Sequence, residues 1–132
     1  MRRLFAARLV CLGILAVLLS ACGSAASSDP AARAVETYLE MLVAKDSSRL
    51  ASLSCSAWES TAIMELDSFQ AVKTRLDGLA CLTTGADGST MLVTCNGKIV
   101  ATYDNEDQEL DLSVRTYHVV QEAGEYLVCC YR

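Results

Sequence analysis

The cysteines are the residues of this sequence with the clearest chemical meaning. The chain has seven cysteines, one histidine and no Cys-x-x-Cys spacing. Because zinc needs several nitrogen or sulfur ligands grouped in space, this set predicts no metal site, and no other pattern indicates a cofactor. Cysteines of a small domain outside the cytoplasm are typically disulfide partners. Five of them lie in the second half of the chain or just before it: Cys55, Cys81, Cys95, Cys129 and Cys130.

The single histidine, His118, is the only imidazole available for acid–base catalysis, which needs a partner acid in a pocket. It lies between Tyr117 and Val119 in strand-like sequence, with no diagnostic spacing to a serine or a carboxylate. We therefore interpret His118 as a structural or solvent-facing residue.

The N-terminus predicts export, the condition for disulfides. Arg2, Arg3 and Arg8 precede an apolar run over residues 9–19 that only Gly13 interrupts. This is the layout of a secretory signal. The run is about half as long as the roughly 20 apolar residues of a membrane-spanning helix.

The end of this run indicates which signal it is. Leu19-Ser20-Ala21-Cys22 resembles the lipobox of bacterial lipoproteins. The resemblance implies that residues 1–21 are removed as a signal peptide and that Cys22 carries lipid such as palmitate. Residues 22–29 would then tether the domain to the extracytoplasmic side of a bacterial membrane, in the cell envelope. An ordinary signal peptide with a chance cysteine is the alternative.

The charge of the mature chain excludes one class of partner. Removing three arginines from the 11 basic residues leaves 8 against 16 acidic residues, a net charge of −8. Since phosphate binding relies on basic patches, nucleic acid is not an expected partner.

Two disulfides are predicted. Cys81 and Cys95 lie seven residues either side of Gly88, so a hairpin centred there would place them opposite each other. Cys55 would then bond Cys129 or Cys130, whose side chains point to opposite faces of a strand. We favour Cys129. Cys130 is left as an inert buried residue, or as a free thiol that reacts or pairs with a second chain.

We place a single domain at residues 30–132. Helical periodicity predicts that its first half consists of helices. Asp29-Pro30 predicts the start of a first helix, and apolar residues follow it at helical spacing. Asp46 predicts the cap of a short second helix. Ser56 and Glu59 form a capping-box pattern for a third. The apolar stripe of the first helix is Val35, Tyr38, Leu39, Leu42 and Val43.

The second half alternates as strands do. We predict strands at roughly 72–84, 90–103, 109–121 and 125–131. Asn96-Gly97 also predicts a hairpin, but we prefer one long strand with a bulge at Gly97. The acidic stretch at residues 104–109, with Asp111 beyond it, lacks the spacing of an EF-hand loop. A solvated turn that guards strand edges explains it better than calcium binding.

The order of three helices and an antiparallel meander resembles the nuclear-transport-factor-2-like fold, in which helices cover a curved sheet. The resemblance spans residues 31–132 and rests on the pattern Val35-Glu36-Thr37-Tyr38-Leu39 and on the closing strand near Tyr126. It implies an α+β cone with a four-stranded sheet. Some members of the fold are isomerases or cyclases with an acid or histidine inside the cone, and others are binding modules.

Two sets of residues could make use of such a cone. Glu65 and Asp67 are the available acids, but neither matches a transferable motif, and we interpret both as solvated carboxylates on the outer helix face. Four aromatic residues could line an apolar pocket for a small molecule, although helical spacing explains three of them as core. These four are Tyr38, Trp58, Phe69 and Tyr103.

These patterns favour a noncatalytic, lipid-anchored module that binds a small ligand or another envelope protein. The alternative is an isomerase- or cyclase-like enzyme. A buried carboxylate facing a pocket would favour the enzyme, whereas an interior filled by side chains would favour the binding module.

Overall fold

The structure is a computed structural model that describes residues 29–132. The expectations for residues 1–28, including lipidation of Cys22, lie outside the described residues. Three helices precede five strands. The helices are α1 (Pro30–Ala44), α2 (Ser47–Ser52) and α3 (Glu59–Ser68). The strands are β1 (Lys73–Asp87), β2 (Thr90–Tyr103), β3 (Glu106–Asp111), β4 (Thr116–Glu122) and β5 (Glu125–Tyr131).

Helix α1 begins where the sequence predicted. The Asp29 carboxylate accepts hydrogen bonds from the free N–H groups of Ala31 and Ala32, at 3.1 and 3.2 Å, which is how an aspartate caps a helix. The helix ends at Ala44, and Lys45 caps it with a left-handed φ of 59°. Four residues of the predicted apolar stripe have no exposed surface, so α1 packs on the sheet along its whole length. These four are Val35, Tyr38, Leu39 and Leu42.

The predicted capping box of the third helix is wrong. Helix α3 begins at Glu59, after Trp58, and no side chain caps it. The Cys55 carbonyl caps the helix instead, because it accepts hydrogen bonds from the N–H groups of Trp58 and Glu59 at 2.9 and 3.0 Å. Ser56 is exposed. By contrast, Asp46 caps α2 as expected.

The sheet confirms the α+β class but has five strands, not four. All pairings between its strands are antiparallel, in the order β1-β2-β4-β5, and β3 also pairs with β2. The predicted third strand breaks at Leu112, because that side chain is fully buried and its N–H donates to the Gly97 carbonyl at 3.0 Å. Strands β3 and β4 therefore pair with successive stretches of one edge of β2. The acidic residues 106–109 belong to β3 rather than to a turn.

A bulge bends β1 and β2 at the glycine that the sequence singled out. Asp77 pairs with Lys98 and Ala80 with Asn96, so two residues of β1 oppose Gly97 alone. The extra residue is on β1, not on β2 as we predicted. Gly97 has a φ of +95°, and a Cβ there would lie 2.6 Å from the Asp77 carbonyl oxygen. Only glycine fits this position.

A second bulge sets the register of the Cys81–Cys95 disulfide. The turn consists of Gly88 and Ser89, since Asp87 pairs with Thr90. Simple counting from that pair would put Asn96 opposite Cys81. Thr84 is an extra residue of β1, and it shifts the register by one so that Cys81 opposes Cys95. The two cysteines are disulfide-bonded, with Cα atoms 4.0 Å apart.

The core lies between the helices and one face of the sheet. It contains the buried side of α1, residues of α2 and α3, and alternate residues of the strands. In the part of the chain that the structure describes, no helix is long and apolar enough to span a membrane.

We expect Gly97→Ala to lower the free energy of unfolding by about 3 kcal/mol, because it adds a backbone clash to an unfavourable left-handed conformation. Gly88→Ala is the matched control: its φ is +59°, but a Cβ there meets nothing within 4 Å. The control should lose only about 1 kcal/mol. Urea denaturation measures both. Equal losses would contradict the close approach at Gly97.

Candidate functional site

A partly buried ion pair joins α3 to the sheet. The Glu65 carboxylate oxygen Oε1 accepts a hydrogen bond from Arg115 Nη1 at 3.1 Å and another from the Tyr131 hydroxyl at 3.0 Å. Only 13% of the Glu65 side chain and 17% of the Arg115 side chain are exposed. Arg115 precedes β4 and Tyr131 ends β5, so the two contacts of Glu65 link α3 to the ends of two strands.

Aromatic rings surround this ion pair. The Arg115 guanidinium lies 4.1 Å from the centre of the Tyr131 ring, which is within the range of a cation–π contact. The Tyr131 ring centre is 5.5 Å from those of Trp58 and Tyr117. Trp58 Nε1 donates to the Tyr38 hydroxyl at 3.1 Å. We call these residues the polar cluster: Tyr38, Trp58, Glu65, Arg115, Tyr117 and Tyr131.

Burial controls the ionisation of the cluster. It raises the pKa of Tyr117 to about 12, although the Arg115 guanidinium acts in the opposite direction. Burial likewise raises the pKa of Tyr38, against a smaller effect of its bond with Trp58. Burial acts to lower the pKa of Arg115, but Tyr117 and the nearby negative charge of Glu65 outweigh it, so the pKa of Arg115 is raised. The site holds a guanidinium among protonated tyrosines.

The contacts of the cluster limit its chemistry. Glu65 Oε1 already accepts two donors, and a general base must be free to accept a proton from a substrate. Glu65 Oε2 and the Tyr117 hydroxyl are buried and form no well-aligned hydrogen bond within the described residues. None of three surface depressions, of about 530, 490 and 380 Å³, is lined by a residue of the cluster.

The structure does not bring the four predicted pocket residues together. Tyr38 and Trp58 contact each other in the polar cluster, and Phe69 is buried in the core. Tyr103 is 61% exposed. It ends β2 beyond the core and lines a depression with Lys45 and other polar residues. The predicted shared pocket is replaced by packed side chains and one surface tyrosine.

The two predicted acids differ in position. Asp67 is exposed, as expected. The outward placement of Glu65 is wrong, because its carboxylate lies between α3 and the sheet. The signal was present in the helical spacing: Glu65 follows Trp58 by seven residues and precedes Phe69 by four, which places it on the apolar stripe. Arg115, Tyr117 and Tyr131 were missed because their partners are distant in the sequence.

The second disulfide joins the helical half to the last strand. Cys55 bonds Cys129 across 74 residues, with Cα atoms 5.2 Å apart. Both disulfides in the structure are the pairs favoured from the sequence. Cys130 is a half-buried free thiol and pairs in register with His118 on β4.

A second surface lies on the sheet face away from the helices. Alternate residues of a strand face opposite sides of a sheet. Tyr117 and Val119 of β4 are buried, so they face the helices, and His118 between them faces the other side. Leu92, His118 and Cys130 form one row across β2, β4 and β5. Leu82 is 52% exposed on the same face. We call this surface the outer patch: Leu82, Leu92, His118, Val120, Leu127 and Cys130.

The acidic strand β3 borders this face. Asp107 pairs with Arg75 at 3.0 Å and Glu109 with Lys98 at 2.7 Å. These pairs are largely exposed, so each contributes little to stability. Within residues 29–132, no group of three or more histidines, cysteines or acids is arranged to hold a metal ion.

Comparison with protein-family models and with curated proteins gives no match. Among solved structures, the chain is similar to Aln2 from a Streptomyces species, with a TM-score of 0.54 and 10% identity over 75% of this chain and 82% of Aln2. It is also similar to a SEC-C motif containing protein from Rhodopseudomonas palustris, with a TM-score of 0.52 and 9% identity over 79% and 80% of the two chains. At such identities the likeness shows the fold alone.

The ion pair predicts that the stability of the fold depends strongly on Arg115, the partner of Glu65. We expect Arg115→Met to lower the free energy of unfolding by about 3 kcal/mol, because it leaves a buried charge with one donor fewer. Glu65→Gln combined with Arg115→Met should lose less than the sum of the two single changes. Urea denaturation measures all variants.

The exposed Arg75–Asp107 pair is the control for this prediction. Since 56% of the Arg75 side chain is exposed, Arg75→Met should cost less than about 1 kcal/mol. If Arg115→Met costs no more than Arg75→Met, the cluster does not hold α3 on the sheet.

The raised pKa of Tyr117 predicts alkaline sensitivity. A group whose pKa is higher in the folded state stabilises that state fully below its unfolded pKa of about 10 and loses this contribution as pH rises toward 12. Tyr117→Phe should therefore flatten the fall in the free energy of unfolding between pH 10 and 12. At pH 8 the variant should be within about 1 kcal/mol of the parent, since the hydroxyl has no well-aligned partner. Parallel curves for the two proteins would refute the assignment.

Proposed function

We propose that the protein is a noncatalytic lipoprotein, anchored by lipid on Cys22 outside the cytoplasm, whose domain binds another envelope protein. The lipobox-like sequence around Cys22 supports the anchor. The two disulfides support an oxidising compartment, because such bonds rarely persist in the cytosol.

One observation carries the noncatalytic part of the proposal: large side chains fill the interior. Tyr38, Tyr117 and Leu39 have no exposed surface and occupy the space between α1 and the sheet. In the nuclear-transport-factor-2-like cone, which we propose as the parent fold, this space would hold a substrate. A filled interior favours recognition at the surface over binding of a small molecule inside.

The outer patch supports a protein partner. It presents Leu82, Leu92, Val120 and Leu127 to solvent or near it, without a charged side chain among its six residues. Neutral apolar sheet surface with a polar rim is typical of protein interfaces.

One observation favours the isomerase- or cyclase-like alternative. Glu65 is an inward-facing carboxylate, the residue type that such an enzyme would need. Its ion pair with Arg115 and its bond with Tyr131 favour a structural role instead. We therefore rank the binding module first.

Crosslinking in the producing bacterium tests the proposal. A photoreactive amino acid in place of Leu82 should crosslink the anchored protein to one envelope protein. The matched control is the same amino acid in place of Met64, which is 65% exposed on α3 and lies outside the outer patch. The same products at both positions, or none at position 82, would contradict binding through the patch.

Cys22→Ser separates the anchor from the partner. Without its lipid the protein should leave the membrane fraction and lose incorporated palmitate. Purified soluble protein should still crosslink through position 82 when it is mixed with envelope membranes. Unchanged membrane fractionation of Cys22→Ser would refute the lipid anchor and leave the binding result to stand separately.

A further inference from the structure

The Cys55–Cys129 disulfide lies where α2 and its following turn approach β5, and Cys130 is the next residue of that strand. The Cys55 N–H donates to the Val128 carbonyl, and the Val128 N–H donates to the Leu53 carbonyl, both at 2.9 Å. Residues 53–55 thus lie beside β5 as one bridge of a parallel pair. This brings Cys55 alongside the adjacent residues Cys129 and Cys130.

The ladder between β4 and β5 contains a bulge at this point. Val119 pairs with Val128 and His118 pairs with Cys130, so Cys129 is an extra residue without a partner on β4. A bulged residue leaves the regular alternation of a strand. Cys129 uses this freedom to reach Cys55.

The pairing between β4 and β5 would also accommodate the bulge at Cys130 instead of Cys129. If Cys130 were the extra residue, Cys129 would pair with His118, and Tyr131 would still pair with Tyr117 as it does now. The Val119–Val128 pair would also be unchanged. Both hydrogen bonds between Thr116 and Arg132, at 2.7 and 3.1 Å, would persist. Moving the bulge therefore exchanges the two cysteines without sliding either strand.

We propose that Cys129 and Cys130 exchange as the disulfide partner of Cys55. The thiolate of Cys130 attacks Sγ of Cys55, the Cys55–Cys129 bond breaks, and Cys129 leaves as a thiolate. The number of disulfides is constant, so no oxidant or reductant is consumed. This inference does not depend on the proposed function.

His118 is placed to handle the proton. Directly paired residues on one face have Cβ atoms roughly 5 Å apart, and His118 pairs with Cys130 in one isomer and with Cys129 in the other. The imidazole takes the proton from the attacking thiol and returns it to the thiolate that leaves. Its role is that of a positioning residue and proton carrier for whichever cysteine is free.

The first test uses the full chain with single substitutions. Cys129→Ser should form a Cys55–Cys130 disulfide, detected by mass spectrometry of unreduced peptides, and should retain Cys81–Cys95. Cys130→Ser is the matched control and should keep Cys55–Cys129. A folded Cys129→Ser protein with free thiols at both Cys55 and Cys130, while Cys81–Cys95 is intact, would overturn the proposal.

The second test needs no substitution at a cysteine. It therefore tests the exchange even if Cys129→Ser fails to fold. The folded natural sequence is incubated with a thiol-alkylating reagent, and tandem mass spectrometry locates the label. Label should accumulate on both Cys129 and Cys130. His118→Gln should slow the labelling of Cys129 by roughly tenfold or more relative to that of Cys130. Because alkylation of Cys130 prevents any later exchange in that molecule, the labelling is repeated at decreasing reagent concentrations. Label confined to Cys130 even at the lowest concentration, where alkylation is slowest, would refute the exchange.

Discussion

The contact on which the rest of the structure depends is that between α1 and the open edge of β1. The Asp29 carboxylate accepts the Thr83 N–H at 2.9 Å, and the Glu36 carboxylate accepts the Cys81 N–H at 3.0 Å. Hydrogen bonds from Thr83, Ala32 and Ala31 lower the pKa of Asp29, although its burial acts to raise it. These N–H groups point away from β2, so without α1 they would be free to pair with another chain. The same two hydrogen bonds therefore cover this edge of the sheet and fix the position of α1 against it.

The position of α1 determines what the interior can do. With the helix held against β1, Tyr38 lies in the middle of the core, and its hydroxyl accepts the Trp58 N–H. Trp58 in turn contacts Tyr131, which holds Glu65 together with Arg115. A chain of contacts thus runs from α1 through the start of α3 to the end of the sheet. This chain of contacts fills the space between α1 and the sheet with packed side chains.

The features that the sequence could predict are those that depend on neighbouring residues. The spacing of Val35, Tyr38 and Leu42 and the cap at Asp29 belong to one helix, and both predictions hold. The break at Leu112 and the ion pair of Glu65 depend on contacts far along the chain, with Gly97 and Arg115. Such contacts leave little local trace. The Cys81–Cys95 pairing was favoured from a hairpin centre at Gly88, whereas the real turn is offset and the bulge at Thr84 compensates for it.

Both disulfides lie beside a bulge, and this links the register of the sheet to the oxidation state of its cysteines. Without the Thr84 bulge Cys81 would oppose Asn96, and a one-residue slip turns side chains to the other face of a sheet. The bond to Cys95 selects the bulged register, just as the bond to Cys55 selects a bulge at β5. In the chain-entropy account, closing loops of 14 and 74 residues stabilises the fold by about 3 and 4 kcal/mol. A domain of this size has a total stability of about 5–15 kcal/mol. The register of this sheet therefore depends on its disulfides, which form and persist in an oxidising environment.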